Sequence, residues 1–254
     1  MENRLIEQAK GVIPSVDDII EETLQELNYK QSYVENHFGD ALVGFDMKAT
    51  EIFRSYEVEA LKYLARSWIN QQREDIREKL QAFLKEDRLD ESIEELAKIF
   101  VDFGMLVKDL EKDLGNMRKA RGGKTFEKAV YRLLSFIGIP CEMPTGENSN
   151  RLKRVDIVVP SVKVGIETPD RAVFLACKRT LRERWKQEVP QVGPNWRVYL
   201  LTIDEDISEN KANEIKEKGF IAYVRDELKR NKFQNKPWIR ALSSLPADLG
   251  GFKG

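Results

Sequence analysis

Apolar positions recur at helical spacing through the first 115 residues, and strand-like runs enter only beyond them. Val16 to Phe38 reads as a helix. Pro14 and Ser15 form a start signal, Ser15 with Asp18 resembles a capping box, and Ile19, Ile20, Thr23, Leu24 and Leu27 follow at helical spacing. Breaks are expected at Phe38-Gly39-Asp40 and at Gly44-Phe45-Asp46. From Ala49 to Glu86 a long helical pattern carries Ile52, Tyr56, Leu64, Trp68, Ile76 and Leu80 on its apolar side, with an interruption near Asn70. Leu89 to Leu114 supplies another, through Ile93, Leu96, Phe100, Phe103 and Leu110.

Past residue 115 the period changes. Thr125 to Phe136 reads as an amphipathic helix ended by Gly138, and a loop rich in Pro, Gly and Asn runs from Pro140 to Asn150. Val155 to Val159 is a short apolar strand stopped by Pro160-Ser161, and Ala172 to Cys177 is a second. A basic helix is expected over Arg179 to Gln187, a third strand over Trp196 to Ile203, a helix over Ser208 to Lys218 capped by Gly219, and a fourth strand over Phe220 to Val224. The alternation places the chain in the α+β or α/β class. A helical region, 1–115, precedes a mixed-sheet core flanked by helices, 116–254.

Charge follows the same division. The net charge of -1 conceals 26 acidic and 15 basic side chains in residues 1–115, against 17 acidic and 27 basic in the remainder. A basic part suits a polyanionic partner, and the acidic part suits a scaffold or dimerisation region. Two cysteines and one histidine cannot furnish the usual thiolate and imidazole ligands of a zinc site, which removes zinc-finger and Cys/His nucleophile readings. No run approaches the roughly 18 apolar residues of a membrane span, and the N-terminus lacks the basic-then-apolar form of a signal peptide. A cytoplasmic location is expected.

Two charged residues fall where apolar strands would exclude them. Asp156 interrupts the strand Val155 to Val159, and Lys178 ends the run that closes at Cys177. A buried carboxylate needs hydrogen bonds, a cation or a metal, and a buried lysine poses the reverse problem. The strands are close in sequence and expected to be neighbours. One arrangement answers both needs: Asp156 binds Mg²⁺, and Lys178 lies beside the attacking water and a scissile phosphate. A plain salt bridge at a strand end is the alternative.

Upstream, Arg118-Lys119-Ala120-Arg121-Gly122-Gly123-Lys124-Thr125-Phe126-Glu127 reads as a basic, glycine-bearing approach to a helix whose N-terminal amides can hold phosphate. It is not a Walker A loop, because the required glycine spacing before Lys124 is absent. Glu127 falls in the expected first turn. It either complements the helix dipole there or points at the same metal as Asp156.

Gly123-Lys124-Thr125-Phe126-Glu127, then Val155-Asp156, then Ala176-Cys177-Lys178-Arg179-Thr180-Leu181-Arg182-Glu183-Arg184-Trp185-Lys186-Gln187 resemble the successive motifs of type II restriction endonucleases of the PD-(D/E)XK superfamily. The cysteine-lysine and arginine-tryptophan spacing is similar to that of the EcoRII and PspGI group. The resemblance spans about Arg118 to Val224. It implies a PD-(D/E)XK nuclease-like core, and a homodimer that hydrolyses phosphodiester bonds of double-stranded DNA at a short palindromic site with Mg²⁺. Asp156 matches the metal-binding aspartate and Lys178 the catalytic lysine.

Departures from that pattern matter as much. Val155 stands in place of the usual proline, which makes no metal contact. Ala176 stands where the second acid belongs, and alanine cannot coordinate a metal. The related group carries this acid in the following helix, but the matching position here is the amide Gln191. Glu188, one helical turn earlier, and Glu127 remain as candidate catalytic carboxylates.

Five basic residues against Glu183 alone between Lys178 and Gln187 argue against a merely solvated face. Arg179, Arg182, Arg184 and Lys186 contact DNA phosphates in this reading, or one arginine reads a guanine edge. Alternatively, Arg184 and Gln187 brace the site. Arg121 and Lys124 join the candidate DNA contacts from upstream, and Gln187 joins them at the end of the basic helix. Val43 to Lys48 is expected to be a loop, where Met47 is either buried at a helix start or a wedge between base steps. Three function classes remain: a Mg²⁺-dependent site-specific endonuclease acting as a two-fold dimer, a non-cleaving DNA-binding protein of the same fold, and a helical interaction protein in which Asp156 and Lys178 merely pair.

Overall fold

The computed structural model describes residues 2–85, 89–182, 185–187, 189–190, 193 and 196–253. In chain order its helices are α1 Glu2–Lys10, α2 Val16–Leu27, α3 Gln31–Asn36, α4 Phe38–Gln71, α5 Arg73–Leu84, α6 Leu89–Phe136, α7 Glu147–Arg151, α8 Val162–Glu167, α9 Glu209–Glu217, α10 Asp226–Lys232 and α11 Leu245–Asp248. The strands are β1 Ile157–Val159, β2 Val173–Cys177, β3 Arg197–Leu201, β4 Ile221–Val224 and β5 Ile239–Ala241. Two compact units result: Met1–Ile19 with Thr50–Arg121, and Ile20–Ala49 with Gly122–Gly254.

The first unit is helical. Trp68 of α4 meets Phe103 of α6 with ring centroids 5.1 Å apart, and Leu106, Leu110 and Leu114 of α6 are buried. Lys10 Nζ donates to Asp113 at 2.9 Å, tying α1 to α6. The expected capping box is present: Asp18 N donates to Ser15 Oγ at 3.2 Å and Ser15 N to Asp18 Oδ2 at 3.1 Å.

The second unit is built on a five-stranded sheet in the order β1-β2-β3-β4-β5. The pair β1–β2 is antiparallel and the other pairs are parallel, so the sheet is mixed. Strands β1 and β2 are buried at every position, as continuous apolar runs covered on both faces should be. One face carries a core of Val158, Phe174, Ala176, Val198, Leu200 and Ala222, together with Leu181 and Trp185 from the segment after β2. Ser161 ends β1 and caps α8, accepting from Val164 N at 3.3 Å.

Several expectations are corrected. The helix expected over 16–38 is divided, because Asn28 takes a left-handed φ of 43° between α2 and α3. Gly39 and Gly44 do not break α4. They permit close packing instead: a Cβ on Gly39 would lie 2.7 Å from Asp226 Oδ1, and one on Gly44 would lie 2.6 Å from Tyr29 Oη. Residues 20–49 group with residues 122–254 in the second compact unit.

The pattern ending at Leu114 and the helix expected from Thr125 are one element, α6. Arg118 to Lys124 therefore lies inside a helix and offers no free N-terminal amides to a phosphate, and Glu127 is not in a first turn. The basic helix over Arg179 to Gln187 does not form among the described residues; only Trp185–Gln187 makes a 3₁₀ turn. Strand β5 was not visible as a periodic run in the sequence.

Candidate active site

Strand register sets the site. Ile157 pairs with Leu175 in the antiparallel β1–β2 ladder, and Asp156 N donates to Leu175 O at 2.9 Å, so Asp156 falls opposite Ala176. Its Oδ2 accepts from Cys177 N at 2.7 Å. Lys178 continues β2 by donating its backbone N–H to Leu201 O at 2.9 Å, and its Nζ stands 3.8 Å from Asp156 Oδ2. The pair expected from sequence is thus brought together, although at the outer limit of an ion pair.

Glu127 enters the same field from α6. Burial and the negative charge of Asp156 push its carboxyl up to about 7, against the opposing pull of Lys178 and Lys124. Burial likewise raises Asp156, opposed by Lys178 and by the Cys177 N–H. Two carboxylates share too little positive charge here, a state that a divalent cation relieves. Their oxygens are also the donors a hard cation such as Mg²⁺ takes, so the residues present fit one. Among the described residues no group of three or more His, Cys, Asp or Glu is placed to hold a metal ion. Glu188, the other candidate acid, lies outside the described residues.

Ala176 is fully buried, in the cluster that contains Leu181 and Trp185. A carboxylate at this position would enter an apolar core. Of the two candidate acids expected from the sequence, Glu127 of α6 is the one that interacts electrostatically with Asp156 and Lys178 among the described residues.

The segment after Lys178 is held as a loop by remote side chains. Arg179 grips Asp46 of α4 with a two-nitrogen fork: Nε lies 2.8 Å from Oδ1 and 3.0 Å from Oδ2, and Nη2 lies 2.7 Å from Oδ2. Thr202 Oγ1 donates to Arg179 O at 3.2 Å, Leu181 N donates to Asp204 Oδ2 at 2.7 Å, and Lys211 Nζ donates to Leu181 O. These contacts satisfy backbone groups that a helix would have used.

The other candidate DNA contacts separate into two sets. Lys124, Arg182 and Gln187 are exposed, and Lys186 is paired with Glu214 at 2.9 Å. Arg121, in the helical unit, is engaged internally, donating to Pro14 O and stacking its guanidinium 5.5 Å from the Phe53 ring centre. Arg179 is committed to Asp46. Arg184 lies outside the described residues. Met47 is 67% exposed on helix α4, neither in a loop nor buried at a helix start.

Asp46, Thr202, Asp204 and Lys211 were missed by sequence reasoning. Asp46 alone left a signal, as a carboxylate directly after the apolar Val43-Gly44-Phe45; it is 6% exposed.

The family model described as EcoRII C terminal matches residues 83–243, more than half of the 254-residue chain. The type II restriction enzyme SsoII of Shigella sonnei is 32% identical over 136 residues, which are 50% of this chain and 44% of that protein. The type II restriction enzyme EcoRII of Escherichia coli is 26% identical over 146 residues, 56% of this chain and 34% of that protein. The chain thus spans less than half the length of these two relatives. Metal-depleted Ecl18kI in complex with uncleaved, modified DNA shares the fold with a TM-score of 0.76 at 19% identity, covering 99% of this chain and 83% of that one. The restriction endonuclease PspGI in its substrate DNA complex gives a TM-score of 0.64 at 21% identity, covering 94% and 93%. From motifs, mixed sheet and matched segment together, this chain belongs to the EcoRII C-terminal family.

Proposed function

We propose that the chain is a type II restriction endonuclease, a site-specific deoxyribonuclease that hydrolyses phosphodiester bonds of double-stranded DNA at a short palindromic site with Mg²⁺. The observation that carries this is the convergence of Asp156, Lys178 and Glu127 at the end of the β1–β2 pair, in a field that leaves two carboxylates short of positive charge. The similarity to the restriction enzymes SsoII and EcoRII supports the same reading.

Hydrolysis forms a bond from the water oxygen to phosphorus and breaks a bridging P–O bond. The water loses a proton and the leaving oxygen gains one. Mg²⁺, when bound, supplies positive charge at the scissile phosphate and acidifies water. Asp156 and Glu127 would hold it through their carboxylates. The Lys178 ammonium, beside Asp156, orients the attacking water and the phosphate oxygen. Exposed Lys124, Arg182 and Gln187 approach the duplex, with phosphate contacts setting register and any base contact setting sequence.

Cutting both antiparallel strands with one such site per chain calls for a two-fold homodimer. Exposed apolar side chains in the helical unit, Leu84, Phe100, Val101 and Met105, provide surface for a second copy. A non-cleaving DNA-binding protein is the second reading, favoured by the apolar setting of Ala176. Digestion of DNA of known sequence in Mg²⁺ separates the two. Discrete fragments are expected; DNA that is shifted in a gel but stays intact would overturn the endonuclease reading.

A further inference from the structure

Lys178 and Arg179 are consecutive cations with different fates. The lysine faces Asp156 across 3.8 Å, whereas the arginine closes on Asp46 at 2.7 to 3.0 Å. Asp46 is 6% exposed and lies 133 residues away in sequence. Its helix is a firm mount, with Phe38, Ala41, Leu42 and Phe45 of α4 all fully buried.

The main chain at this point is held from the other side. Lys178 N is bound to Leu201 O, and Arg179 O receives the hydroxyl of Thr202, itself fully buried. The peptide joining Lys178 to Arg179 is thereby fixed between β3 and, through the arginine side chain, α4. The open 3.8 Å pair gives the lysine little orientation of its own, so its direction is set by that peptide. With Nε and Nη2 aligned on one carboxylate in a planar fork, the guanidinium has its orientation fixed by Asp46 and keeps only its remaining N–H groups for any other ligand.

We propose that Asp46 is a positioning residue for Lys178, acting through Arg179. This rests on the endonuclease reading above. Arg179 is accordingly a strut, and its assignment as a DNA contact is withdrawn.

The test uses the full chain with Mg²⁺. Single-turnover cleavage of pre-bound duplex is compared for the unaltered chain, Asp46→Asn and Arg179→Lys, with DNA affinity measured in Ca²⁺ and folding checked by thermal denaturation. Glu35→Gln serves as the control, breaking the 2.7 Å pair with Lys253. Both test variants are expected to cut about 10- to 100-fold more slowly once bound, with Kd changed by less than about threefold and the control unaffected. Arg179→Lys keeps the charge and loses the fork, so it separates geometry from electrostatics. Unchanged rates in folded variants would overturn the proposal. So would a loss of affinity with an unchanged rate in the bound complex, which makes Arg179 a DNA ligand. Failure of both variants to fold assigns the pair to stability alone and also overturns it. If the unaltered chain cuts nothing, the endonuclease reading falls and this inference falls with it.

Discussion

At the β4–β5 side of the sheet, Tyr223 Oη donates to Asp248 Oδ2 at 2.7 Å and Arg240 Nη2 donates to Asp248 Oδ1 at 2.7 Å. The carboxylate there has a partner on each oxygen, and burial with the bond to Asp248 pushes the tyrosine up so that it stays a neutral donor. At the β1–β2 side, Asp156 has one close donor, a lysine at 3.8 Å and a second carboxylate in its field. Both regions place charge at sheet ends within one unit. The first meets each oxygen of its carboxylate with a donor, and the second leaves two carboxylates in one field short of positive charge, which is a cost that stability alone gives no reason to retain.

Mutations should separate the two regions in opposite directions. The largest effect is expected at the open end: Asp156→Ala or Lys178→Ala should reduce single-turnover cleavage about 10³-fold while specific binding in Ca²⁺ persists. Glu127→Gln should follow, with cleavage about 10²-fold slower.

Glu127→Gln should also stabilise the metal-free protein. The folded carboxyl sits at about 7, above its ordinary value of 4.5, so the folded state holds the proton longer than the unfolded one. Stability without metal therefore falls as pH rises from 4.5 to about 7, and the penalty is complete above that window. Discounted for partial exposure, removing it should add ~2 kcal/mol in urea denaturation at pH 8 with EDTA. At the closed end the sign reverses. Tyr223→Phe should cost ~1–2 kcal/mol of stability and leave the cleavage rate of folded protein unchanged.

Strands β1 to β4 and the Asp156–Lys178 pair were legible in the sequence for one reason: short apolar runs bounded by turn residues show any charge that interrupts them. The Ser15–Asp18 cap was legible because both partners are local. Helix α6 was misread at Arg118–Lys124, since Gly122 and Gly123 look like a helix start when the buried Leu114 and Phe126 on either side are not known to belong to one helix. The segment Arg179–Gln187 looked helical by charge and spacing. At Leu181 the backbone is instead held by Asp204 and Lys211, more than 20 residues distant. Asp46 lies farther still from its partner, and no local pattern joins it to Arg179. Glu127 could be named from sequence, but only the fold shows that it shares a field with Asp156.

The central claim is that the open charge at Glu127 and Asp156 exists to be met by a divalent cation. Its most direct test is the pH dependence of unfolding, from pH 4 to 8, with EDTA and with saturating Mg²⁺. The account predicts a stability that declines with rising pH in EDTA, a decline that Mg²⁺ removes in the unaltered chain, and a smaller response of both kinds in Glu127→Gln, where Asp156 alone remains raised. Curves for the unaltered chain that coincide with and without Mg²⁺ would contradict it.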